Sequence, residues 1–265
     1  MRLLSQAMSS TSGAGALQRR TRRVANPIVT RLWDVELSGY DRLPDDGPAI
    51  LCPNHISFFD SAVLTFTVPR NISFVGKAEY MDSWKTKYLF PAMGMIPIDR
   101  SGGEKSNAAL DAARDVLERG ELFGIYPEGT RSRNGKLHKG RTGAARLAME
   151  VGCPIYPVGI TGTDEIQPPD TSVPRLRKKC TVTIGRPVRP ERYEHRGAEH
   201  LAWRSMMDEV MFEISELTGQ QYVHHYAGQE PADAPQPVAP AAIATVTDIT
   251  PLGGVERKLV AVAGG

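Results

Sequence analysis

The chain has 265 residues, of which 41% are hydrophobic and 23% charged, and its formal net charge is +2. Such values fit an ordinary globular protein with length enough to bury a substantial core, and the near-neutral balance speaks against nucleic acid as a partner. No stretch of about 18 apolar residues occurs, so no transmembrane helix is expected. The start carries Arg2 but no apolar core of a secretory signal. Cys52, Cys153 and Cys180 are odd in number and lack metal-ligand spacing. They fit a reducing compartment and read as small buried hydrophobes.

Taken in chain order, residues 1–26 are rich in Ser, Gly and Arg, and read as a disordered basic arm. Residues 1–31 hold Arg2, Arg19, Arg20, Arg22, Arg23 and Arg31 and no acid. Such an arm suits anionic lipid headgroups, and suits a solvated extension equally well. A folded unit is expected over 27–226. Short apolar runs at 48–52, 72–75, 95–98, 122–126, 155–158 and 181–184 read as strands. Between them, Ala109, Leu110, Ala113, Val116 and Leu117 line one face of a helix over about 104–119, which Gly120 would end. A second helix is expected over 141–151, before Gly152. A third, over 198–218, carries Trp203, Met207, Val210, Ile214 and Leu217 on one side. Strands alternating with helices give an α/β fold, a central mostly parallel or mixed sheet covered by helices. Residues 227–265, rich in Ala and Pro, read as a flexible tail.

Ligands of such sheets collect at the carboxyl ends of strands, and four clusters follow predicted strands. In Pro53-Asn-His-Ile-Ser-Phe-Phe-Asp60, a turn lets the Asp60 carboxylate reach Nδ1 of His55 and leaves Nε2 to take a proton from a hydroxyl. Ser57-x-x-Asp60 also reads as a helix capping box. Gly94-Met-Ile-Pro-Ile-Asp99-Arg100 places an arginine at a strand end. Tyr126-Pro-Glu128-Gly-Thr-Arg131-Ser offers Glu128 and Arg131 for a hydroxyl and a phosphate beside the permissive Gly129, with Arg133, Lys136, Lys139 and Arg141 following. In Gly152-Cys-Pro154-Ile-Tyr-Pro157-Val, two prolines suggest an edge strand or a bulge.

In this order the clusters resemble the four boxes of the glycerolipid acyltransferase family that includes 1-acylglycerol-3-phosphate acyltransferases. The resemblance spans about residues 47–165. It implies His55 as catalytic base and Asp60 as its orienting partner. It implies Arg100, Glu128, Gly129, Thr130, Arg131 and Lys139 at the acceptor and its phosphate, and Pro154 or Pro157 on the acyl-donor side. One departure is Leu137-His138-Lys139-Gly140, where many relatives carry an aromatic residue, two lysines and glycine.

The implied reaction moves a fatty acyl group from acyl-CoA or acyl-carrier protein to the free hydroxyl of 1-acylglycerol 3-phosphate, giving phosphatidic acid. No metal or resident cofactor is implied. The expected partners are the lysophospholipid, the acyl thioester and a membrane surface, with a peripheral place on the cytoplasmic face of the cell membrane. The basic run Arg175-Leu-Arg-Lys-Lys179 reads as facing anionic lipid, CoA phosphates or solvent. Glycerol 3-phosphate or another lysophospholipid is an alternative acceptor. A hydrolase would need a serine nucleophile, for which Ser57 is badly placed, and no Gly-x-Ser-x-Gly elbow occurs. A non-catalytic lipid-binding protein is the reading from another class.

Overall fold

The computed structural model describes residues 11–77, 93–98, 105–169, 171, 173–193 and 198–229. Within them a seven-stranded sheet lies between two layers of helix. The strands are β1 (Asp34–Ser38), β2 (Ala49–Pro53), β3 (Ile72–Lys77), β4 (Met95–Ile98), β5 (Leu122–Gly124), β7 (Ile155–Thr161) and β8 (Lys179–Ile184), in the order β1-β8-β7-β2-β5-β3-β4. A separate parallel pair joins β6 (Leu137–His138) to β9 (Tyr222–Val223). Five neighbouring strands, β7 to β4, run parallel. β8 turns back antiparallel to β7, and β1 follows it in parallel. The sheet is therefore mixed.

The central strand β2 is buried at every residue. Leu51 faces a core built with α1 (Thr11–Leu32) and α2 (Phe59–Thr67), while Ile50 and Cys52 face α3 (Lys105–Glu118), α4 (Gly143–Val151) and α6 (Glu199–Thr218). A strand covered on both faces needs apolar residues throughout, which is why this run shows no alternation. The three long helices of the second layer stop near Gly120, Gly152 and Gly219, each with φ close to +70°, as the glycine-ended helix pattern predicts. A one-turn helix, α5 (Thr163–Ile166), follows β7.

Two features differ from the sequence reading. Residues from Thr11 onward form α1, where a disordered arm to residue 26 was expected. The arginines hide a packing face: Gln18 and Val29 are buried, Trp33 meets Phe59 with ring centroids 4.8 Å apart, and Asn26 Nδ2 donates to Phe66 O at 2.9 Å. Residues 1–10 and 230–265 lie outside the described residues, so nearly all of the expected tail does too. Second, β7 is interior, paired with β2 and β8, so of the two readings of its prolines the edge falls and the bulge holds. Its proline is tolerated because the ladder is interrupted there. Residues 185–187 stand opposite 156 and 157, between the pairs Ile155–Val188 and Val158–Ile184. The extra residue is a bulge, so the missing Pro157 N–H falls where the register shifts.

Candidate active site

The carboxyl ends of β2, β5 and β7 lie along one edge of the sheet and carry the site. Asn54 fastens that edge: its Oδ1 accepts from Ile160 N and its Nδ2 donates to Ile160 O, both at 2.8 Å. The next residue is His55. Its Nδ1 lies 2.9 Å from Asp60 Oδ2, the Asp60 side chain is wholly buried, and the His55 side chain keeps 17% exposure. A carboxylate at Nδ1 selects the tautomer with the proton there, leaving Nε2 with its lone pair.

Asp60 is held as well as holding. Its Oδ2 also accepts from Ile56 N and Ser57 N at 2.9 Å, and its Oδ1 accepts from Thr163 Oγ1 at 2.5 Å. Phe59 N in turn donates to Ser57 Oγ at 3.2 Å. The capping reading and the orienting reading are thus two duties of one carboxylate at the start of α2. Thr163, on α5, escaped the sequence reading. Its signal was position: it follows Gly162 at the end of a core strand.

The imidazole has an aromatic backing. Tyr126 stacks on His55 with centroids 3.8 Å apart and planes at 19°, and Phe74 lies behind Tyr126 at 5.9 Å. Tyr126 is fixed by a 2.7 Å hydrogen bond with Ser61 Oγ. Burial, with the Asp60 charge adding to it, pushes its phenol well above the ordinary range, so it stays neutral. Gly124 makes room for this stack, since a Cβ there would come within 2.0 Å of the Phe74 ring.

The third cluster forms the loop after β5. Glu128 is 1% exposed. Its Oε1 accepts from His55 N at 3.2 Å and its Oε2 from His138 N at 2.9 Å. Engaged on both oxygens by backbone amides, this buried carboxylate ties the loops of His55 and His138 together. Desolvation pushes its carboxyl up to about 7, against the lowering effect of those two amides. Ser132 N closes the same loop on His55 O at 2.7 Å. Gly129, Thr130 and Arg131 are exposed around this loop, and Lys139 is half-buried.

Of the remaining expected residues, Arg100 lies outside those described. Pro157 sits in β7 opposite Cys52. Pro154 is not brought to the site. Its carbonyl accepts from Ile50 N at the entry of β2, so it is separated from His55 by roughly 16 Å of strand. His138 is buried, its ring against Asn134 and His225. In the basic run, Lys178 pairs with Glu165 and Lys179 with Glu36. Ser57 Oγ donates to Gln167 O at 2.9 Å, away from His55. All three cysteines are buried, and burial raises their thiols.

Fold and site together define an α/β domain that presents a hydrogen-bonded His–Asp pair at the carboxyl ends of the parallel strands of a mixed sheet. A family model described as Acyltransferase matches residues 34–161, just under half of the chain. Among curated proteins it is similar to the chloroplastic 1-acyl-sn-glycerol-3-phosphate acyltransferase BAT2 of Brassica napus, 26% identical over 179 residues, covering 64% of this chain and 52% of that protein. The human 1-acyl-sn-glycerol-3-phosphate acyltransferase alpha is 27% identical over 150 residues, covering 52% of this chain and 53% of its own. The chain thus spans about half the length of the curated relatives it matches. The crystal structure of the 1-acyl-sn-glycerophosphate acyltransferase PlsC from Thermotoga maritima has the same fold, with a TM-score of 0.58 and 24% identity over 82% of this chain and 83% of that one.

Proposed function

We propose that this chain transfers a fatty acyl group from a thioester carrier to the free hydroxyl of 1-acylglycerol 3-phosphate, forming phosphatidic acid. The observation that carries the reading is the 2.9 Å contact of His55 Nδ1 with buried Asp60, at a strand end that stays open to solvent. His55 Nε2 takes the hydroxyl proton as the oxygen attacks the thioester carbonyl. The tetrahedral oxyanion is met by backbone amides or nearby cations, and its collapse expels the thiolate, which receives the proton from His55. Asp60 keeps the tautomer and offsets the charge of the imidazolium between these steps.

The acceptor is supported by the names of the relatives and by the exposed Arg131 on the loop after β5, since guanidinium groups match phosphate oxygens. The donor is acyl-CoA or acyl-carrier protein, a co-substrate; the acid–base chemistry requires no metal or resident cofactor. Pro157 belongs to the wall nearest the donor, and Arg100 and Gly129 to the acceptor side.

The same reading places the protein on a membrane surface, at the cytoplasmic face of the cell membrane. No helix among the described residues is long and apolar enough to cross a membrane. Surface contact has another basis. Val24 is 65% exposed on α1, where Leu17 and Ile28 share its face and arginines flank it. Val173 and Leu176, 75% and 58% exposed, stand on a loop tied to α1 by Arg177 N to Leu32 O. Apolar side chains among arginines suit an anionic bilayer.

The test is thiol release from palmitoyl-CoA by purified protein in mild detergent. Lysophosphatidate, glycerol 3-phosphate, a choline lysolipid and no acceptor are compared, with wild type and His55→Ala. Release that needs lysophosphatidate and falls at least a hundredfold in His55→Ala is expected. Equal release without acceptor would make the protein a thioesterase. Silence with both CoA and carrier-protein donors would favour lipid binding without catalysis.

A further inference from the structure

Several cations on this surface have a carboxylate partner: Arg114 with Asp111 and Glu150, Arg192 with Glu209, Arg204 with Asp208. The loop after β5 is different. Arg131, Lys139 and Arg141 surround it, and none has a carboxylate partner among the described residues. Two of them share one aromatic ring instead. Arg141 Cζ lies 5.4 Å from the Tyr226 ring centroid and Lys139 Nζ 5.6 Å from it. The π-face holds a cation in place as a carboxylate does, but without cancelling its charge. What results is positive potential kept available for a ligand.

Arg141 is also placed against the site. Its backbone N donates to Pro127 O at 2.8 Å. Its side chain lies on Gly129, where φ is +77° and an added Cβ would stand 3.0 Å from Arg141 Nε. Gly129 N in turn donates to the carbonyl of Tyr126, the residue whose ring backs His55. Tyr226 reaches this loop on a segment well outside the family match of 34–161. That segment is tied down by Leu137 N to Gln221 O, by Lys139 N to His225 O, and by Gln220 Nε2 to Gly135 O.

We propose that Arg141, seated on Tyr226, is an additional binding residue for the acceptor's phosphate monoester, and that Tyr226 is its positioning residue. The inference rests on the acyltransferase reading above. Arg141 contributes a guanidinium to the phosphate dianion, and Tyr226 fixes it without competing for it. The thioester donor can also carry a phosphate monoester, so the test separates the two.

The full chain is compared with Arg141→Gln, Arg141→Lys, Tyr226→Phe and Tyr226→Leu. KM and kcat are measured for lysophosphatidate and palmitoyl-CoA. Binding of lysophosphatidate and of phosphate-free monoacylglycerol in detergent micelles is followed by calorimetry. Arg141→Gln is expected to raise the acceptor KM and weaken lysophosphatidate binding by about tenfold, with kcat, donor KM and monoacylglycerol binding within about twofold. Arg141→Lys recovers part of the loss. Tyr226→Phe keeps the ring and behaves as wild type, while Tyr226→Leu loses several-fold in acceptor KM alone. An unchanged acceptor KM, a shift in donor KM instead, or a fall in kcat without a KM change would overturn the assignment. So would a Tyr226→Phe loss equal to that of Tyr226→Leu. Were wild type to turn over no acceptor, the acyltransferase reading would fall. The calorimetric difference between wild type and Arg141→Gln would still decide the phosphate contact.

Discussion

Replacing Asp60 by Asn removes one charge and little volume, so it isolates what the carboxylate does electrostatically. In the wild type, Oδ2 receives three N–H donors and Oδ1 receives the Thr163 hydroxyl. An asparagine carbonyl can keep the Ile56 and Ser57 amides, and its NH2 group can donate to the Thr163 oxygen, so the fold should persist. The imidazolium formed during proton transfer, however, loses its counter-charge. With charge centres about 4 Å apart and an effective dielectric near 20, that is worth about 4 kcal/mol, or roughly a thousandfold in kcat. The assay is thiol release from palmitoyl-CoA with saturating lysophosphatidate, alongside a thermal melt. A fall of about three decades in kcat, with Tm lowered by only a few degrees, is expected. If kcat stays within tenfold of wild type, Asp60 does no more than start α2, and the proton-transfer scheme is wrong.

Thr163→Val should leave Asp60 Oδ1 without its buried donor, at about 1–3 kcal/mol of stability by urea unfolding. Thr163→Ser should restore it, and equal stability of all three would show the hydroxyl to be idle. Glu128 has a folded pKa of about 7 against an ordinary 4.5. The folded chain therefore binds that proton more tightly, and the stabilising contribution is full below pH 4.5 and lost as pH rises through 7. Wild type should lose roughly 3 kcal/mol between pH 4.5 and 8 through this group, and Glu128→Gln should lack that slope; matching slopes in urea titrations would refute the reasoning. Gly124→Ala drives a methyl into Phe74 and should cost about 1–3 kcal/mol by overpacking. An unchanged Tm would show that the aromatic stack has slack.

Local signals carried far in this chain. Continuous apolar runs bounded by polar turns located the interior strands, because a strand covered on both faces has no polar side. Glycines closed the long helices, because the left-handed residue past a helix end tolerates no side chain cheaply. His55 and Asp60 are five residues apart, so one turn brings them together, and that much was legible from spacing. Where a group's partner is distant in sequence, the pattern gave no access. Glu128 looks like a loop carboxylate free to meet substrate; only the fold shows its oxygens bound to the amides of His55 and His138. Pro154 and Pro157 stand three residues apart, but strand direction sets one at the far edge of the sheet and the other at a bulge. The Arg-rich start reads as polar, and its helical face became visible only against α2.

Sequence alone determined six strands of the main sheet and its three glycine-ended helices, the order of the chemistry-bearing clusters and the nearness of His55 to Asp60, since each depends on backbone preference or on residues within one turn. The tertiary structure decided which side chains are spent in holding the site and which are left to act, because burial and hydrogen-bond partnership are set by residues as far apart as Asp60 and Thr163, or Lys139 and Tyr226.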